Sequence, residues 1–122
     1  MRWYAVHTVM RVQFKDAVPG DIPVWENVIL VHAESGNNAA IAARSIAKGE
    51  EGDSRGSFTW DGRPARWVFA GIRKVITCDA PSNGVEVTWS QFRLKSEEDL
   101  EALVDGKEVV LTYEDEGEPR GR

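Results

Sequence analysis

Residues 3–14 alternate along the chain: Tyr4, Val6, Met10, Val12 and Phe14 share one parity, interrupted only by Thr8, while His7, Arg11 and Gln13 occupy the other. Period two with one polar face predicts a half-buried strand of an antiparallel sheet. Lys15 to Pro23 holds Pro19-Gly20-Asp21 and Pro23, which is turn chemistry. Residues 24–33 are then apolar on both parities, the pattern of a strand covered on both faces, and this second strand is expected to be central in the sheet.

Ser35-Gly36-Asn37-Asn38 precedes a helical pattern over 38–48, with an asparagine expected as the cap. The spacing places Ala39, Ala42, Ala43, Ile46 and Ala47 on one stripe, and Gly49 ends the helix. So small a face lets a helix sit close to a sheet. Residues 50–57 read as a loop. Phe58-Thr59-Trp60 running into Asp61-Gly62 predicts a hairpin, with a long strand returning over 65–77. Within that strand the apolar parity moves from Trp67 and Phe69 to Ile72 and Ile76, which a β-bulge at Gly71 would produce.

After the turn Ala80-Pro81-Ser82-Asn83-Gly84, residues Val85, Val87, Trp89, Phe92 and Leu94 predict another strand, irregular near Ser90-Gln91. Ser96-Glu97-Glu98-Asp99 resembles a capping box and opens a short helix, with Leu100, Leu103 and Val104 expected to face inward. Val109, Leu111 and Tyr113 form a last strand. The expected fold is α+β: a mostly antiparallel sheet of five to six strands, an alanine-rich helix packed on it and a short second helix, in the order β-β-α-β-β-β-α-β. Residues 1–113 would be one domain, and 114–122, with no apolar residue, an acidic polar tail.

Composition narrows the classes. The chain has 122 residues, enough for one core and too few for two ordinary domains. A single cysteine, Cys78, excludes an internal disulfide, and two histidines, His7 and His32, give no zinc spacing. Apolar stretches such as 28–31 are far below a membrane span, and Met1-Arg2-Trp3-Tyr4 has no signal-peptide core, so a soluble cytoplasmic protein is expected. Charge is distributed unevenly. Residues 55–95 carry seven basic and three acidic side chains, whereas 97–118 carry ten acids and the single base Lys107. The acidic part is expected to fold against the basic middle.

Trp25-Glu26 followed by Leu30-Val31-x-Ala33 and an alanine-rich helix, then Trp67-Val68-Phe69-Ala70-Gly71-Ile72, together with the opening Trp3-Tyr4-Ala5-Val6, resemble the small bacterial proteins grouped as domain of unknown function 4288. The resemblance covers about residues 2–93 and implies no activity, because these are patterning motifs rather than catalytic ones.

No motif specifies a reaction, a cofactor or a metal. His7 and His32 could meet if the first two strands pair, and with Glu26 or Cys78 could form a hydrolytic or metal site, but a nucleophile needs a base in reach and a third group orienting it. Glu26, inside an apolar strand, needs a partner, an arginine by preference. Trp60, Arg63, Arg66, Trp67 and Arg73 form an aromatic-basic hairpin that could stack bases or anchor a protein. A pI of about 5.0 disfavours nucleic acid. The leading expectation is a non-catalytic module that binds another protein or a second copy of itself. A nucleic-acid or anion binder using hairpin 58–73 comes next, and a small enzyme or ligand-binding domain with a pocket near Glu26 and His32 third.

Overall fold

A computed structural model describes residues 1–114. The elements are β1 (Arg2–Phe14), β2 (Val24–Ala33), α1 (Gly36–Gly49), β3 (Thr59–Trp60), β4 (Arg63–Cys78), β5 (Phe92–Arg93), α2 (Glu97–Val104) and β6 (Thr112–Tyr113). Their order is the expected one and every ladder is antiparallel. The six strands do not form one sheet, however. Four make a sheet of order β2-β1-β4-β3, and β5 and β6 pair separately.

β1, rather than β2, is central. Tyr4 faces Val31 on one side and Thr77 on the other. Apolar residues on both parities report that faces are covered and carry no information about lateral neighbours, which is why β2 looked central and is an edge. Nor is β1 half-buried: Ala5 and His7, on its supposed solvent face, are as buried as Tyr4 and Val6. Residues 85–90 lie over that face and bond to it through side chains. These residues were expected to be a strand, yet only Phe92–Arg93 pair, because the segment crosses the sheet without joining a ladder.

Ser35, not an asparagine, caps α1, its Oγ accepting from the Asn38 amide at 3.1 Å. Ala39 and Ala43 are fully buried against Tyr4, Val6 and Ala33, with Val31, Ile72 and Val75 beside them, and Ala47 is fully buried one turn further on. Residues spaced by four lie almost above one another on a helix, so this stripe is narrow. Ile46 falls off it and is 48% exposed, contrary to expectation.

The β3–β4 turn has Asp61 at φ 52° and Gly62 at φ 73°. Positive φ at both central positions is the type I′ geometry that matches strand twist. The β1–β4 register shifts twice, between His7 and Thr8 and between Val9 and Met10, so Arg73 and Ala70 are extra residues flanking Gly71. Ser96 caps α2 by accepting from the Asp99 amide, but Leu100 and Val104 are exposed rather than inward. Eight residues with three acids in the first turn present too little apolar area to dock. The last strand is only Thr112–Tyr113. No helix among the described residues is long and apolar enough to cross a membrane. The tail beyond Glu114 lies outside the described residues.

Candidate functional site

On the sheet face opposite α1, β1 presents Ala5 and His7, and β4 presents Lys74 and Ile76 directly beside them. β2 contributes Glu26, opposite Val9. Because Arg73 is an extra residue in β4, it leaves the regular alternation and reaches across β1 to β2. Its Nε donates to Glu26 Oε1 at 2.7 Å and a terminal nitrogen donates to Oε2 at 2.9 Å. This fork is the arginine partner that Glu26 required. The same Oε2 lies 2.6 Å from His7 Nδ1, and His7 Nε2 lies 2.5 Å from Thr88 Oγ1. Carboxylate, imidazole and hydroxyl therefore form one hydrogen-bonded chain, spanning β2, β1 and the covering segment.

Electrostatics follow from the geometry. Burial lowers the pKa of His7 below its ordinary value of 6.5; the Glu26 hydrogen bond works the other way and Lys74 adds to the lowering. Burial thus favours the neutral form of the His7 imidazole between the Glu26 carboxylate and the Thr88 hydroxyl. Burial alone would raise Glu26, but the Arg73 and His7 hydrogen bonds outweigh it, and its pKa falls below the ordinary carboxylate value. Lys74, 4% exposed, donates to the backbone oxygen of Trp89 and lies 4.4 Å from that indole's centroid. Burying an ammonium is costly unless its donors are met, which Trp89 and Ser90 do here.

Thr88 also lines a groove of about 610 Å³, with Trp3, Cys78, Asp79, Glu86 and Trp89 around it. His32 is elsewhere. It pairs with Trp3 and stacks on that ring, centroids 4.8 Å apart. Six residues separate it from Glu26 along β2, about 20 Å at strand rise, so the two do not share a site. His7 and His32 are on one face but four registers apart. Among the described residues no group of three or more His, Cys, Asp or Glu side chains could hold a metal.

The aromatic-basic hairpin is assembled differently from a stacking platform. Trp67 is the hub: Trp25, Phe58 and Trp60 pack on it with centroids 5.0, 5.7 and 5.9 Å away. Arg63 forks onto Asp16, holding that carboxyl down to about 2, and stacks over Phe14. Arg66 donates to Gln13. Arg73 is not at this end at all.

A third feature is the outer edge of β2. Val24, Trp25 and Val28 are exposed there, Trp25 by 55%. No strand pairs with that edge among the described residues.

Sequence reasoning missed Thr88 and the burial of Lys74. Lys74 shares its face with Ile76, so a lysine two residues before an inward isoleucine was a legible signal. Thr88 had none, since its role depends on a crossing that no local pattern encodes.

A family model described as Domain of unknown function (DUF4288) matches residues 3–89. That span holds the four-stranded sheet, α1, the His7–Glu26–Arg73 cluster and Thr88, and stops before β5, α2 and β6. No curated protein and no solved structure matches the chain.

Proposed function

The chain belongs to the DUF4288 family, and from that premise we propose that it is a small protein-binding module, of the immunity or accessory kind, that pairs an extended strand of its partner with the open edge of β2. One observation carries this reading. β2 is ten residues long, contains no Lys or Pro, and keeps an unbroken register with β1, yet it lies at the edge of the sheet. Exposed edges are ordinarily blunted by charge, proline or bulges, because their free N–H and C=O groups template pairing. An edge with no proline or bulge, whose one carboxylate, Glu26, is held by Arg73 and His7, and that displays Val24, Trp25 and Val28, suits strand addition.

The test is amide hydrogen exchange on the protein mixed with the products of the genes flanking its own. Slowed exchange along β2 supports the reading. Protection confined to hairpin 58–73, with β2 unchanged, would overturn it. That hairpin draws little support as an anion site, since Arg63 and Arg66 are turned toward Asp16 and Gln13.

A second reading rests on the Thr88–His7–Glu26 chain, with His7 and Thr88 in place of His32. Neutral His7 accepts the Thr88 proton, Oγ1 attacks the carbonyl of a small ester in the groove, and Nε2–H protonates the departing alkoxide; water then releases the acid by the same route. Hydrolysis of p-nitrophenyl acetate that disappears in Thr88→Val supports this. Equal rates for the two proteins exclude it.

A further inference from the structure

We propose that the β2 edge is occupied by a second copy of this chain, antiparallel, with a two-fold axis at Ile29, joining two four-stranded sheets into one of eight. The inference rests on the strand-addition reading and names the partner. Directly opposed residues in an antiparallel ladder share a face of the sheet. Even side chains of β2 lie on the Glu26 face, and odd ones on the α1 face with Ile29 and Val31, as their β1 partners dictate. Axes through a residue therefore keep both α1 helices on one side, whereas axes between residues turn one copy over and oppose unlike faces.

Charge and size then select among the residue-centred registers. About Val28, Glu26 would face Leu30 of the other copy, an anion against an apolar side chain. About Leu30, Glu26 would face Glu34, like against like, which is destabilising. About Ile29 the pairs are Ile29 with itself, Val28 with Leu30, Asn27 with Val31, Glu26 with His32 and Trp25 with Ala33, and Val24 meets Glu34 only at the fraying end, outside β2. This register alone puts the carboxylate opposite an imidazole, twice, and sets the exposed indole over a small residue. It also covers Val28 and Trp25, two of the three exposed apolar side chains of the edge. The sheet is positioned to receive it: α1 covers one face, residues 85–90 the other, and no strand among the described residues pairs with the edge between them.

The test is sedimentation of the full chain with single cysteines placed in a Cys78→Ser background. Wild type sediments as a dimer that dissociates on dilution. Ile29→Cys oxidises to a covalent dimer, because residue 29 opposes itself. Val28→Cys and Leu30→Cys do so only when combined. Val28→Lys, at a position already exposed in the monomer, keeps the circular dichroism of the fold and weakens the dimer by about tenfold or more. Monomers at every concentration, or cross-linking by Val28→Cys alone, would overturn the inference. Either result leaves strand addition by another protein to be judged separately by hydrogen exchange.

Discussion

The two edges of the four-stranded sheet are treated in opposite ways. Beyond β4, the chain closes the edge with whatever is at hand: β3 supplies two residues, Gly52 exchanges both backbone hydrogen bonds with Trp67, and the Glu51 carboxylate accepts the Phe69 amide at 2.8 Å. Pro64 removes one donor at the hairpin. Beyond β2 there is no comparable device among the described residues. Closing an edge takes only a short loop and one carboxylate, so the bare edge is a feature the chain had the means to avoid. Interiors hold folds together; edges decide what a sheet associates with.

The comparison can be broken most severely under both edges at once. Ala43 is fully buried where α1 meets the sheet, so Ala43→Asp buries an unpaired charge and should cost about 3 kcal/mol or more. Ala40→Asp, on the partly exposed side, should cost far less. Urea melts measure both, and equal losses would show that α1 docks by another face.

At the closed edge, Trp67→Ala removes the hub of four aromatic rings and should cost about 2–4 kcal/mol in the same melts. A loss below about 0.5 kcal/mol would mean that Gly52 and Glu51 hold this edge without it.

The clamp between edges responds to pH. His7 has a folded pKa below its unfolded value of 6.5, so the unfolded chain binds more protons as pH falls through that region. Its contribution is complete above 6.5 and is lost on acidification toward the folded pKa. Glu26, also lowered, adds a second loss starting below its ordinary value of 4.5. The urea midpoint should drop in two stages, the first absent in His7→Asn. A midpoint that rises between neutral pH and the first stage would contradict the burial of a neutral imidazole.

The smallest effect on the monomer belongs to the open edge. Val28→Lys should shift monomer stability by no more than about 0.5 kcal/mol, because the side chain is already 42% exposed. A larger loss in dilute protein would mean that the edge is packed rather than bare.

Local chemistry was legible in the sequence. Asp61-Gly62 announced the hairpin, the alanine spacing announced the face of α1, Gly71 marked the bulged stretch, and Glu26 in an apolar run demanded its arginine. Lateral order was not, because a side-chain pattern describes faces and says nothing about which strand lies beside which. Leu100 and Val104 misled for a related reason: amphipathic spacing shows that a helix could dock, not that a surface awaits it. Of the polar cluster, Glu26 and His7 could be singled out individually. Their union with Thr88 could not, since it depends on bulges in β4 and on a crossing segment without a ladder.

The central strand precedes both of its partners in the chain. Trp3 must find Cys78, and His7 must find Thr88 across 81 residues. During synthesis β1 can pair with β2 as soon as both strands have left the ribosome, but its other side stays vacant until β4 arrives. Until then the nascent hairpin exposes, on both flanks, strands that will end up with one partner too few or one partner too late. Long-range closure of this kind slows folding. Shielding the unpaired flank of the nascent β1–β2 hairpin should therefore raise the yield of folded protein more than it raises final stability.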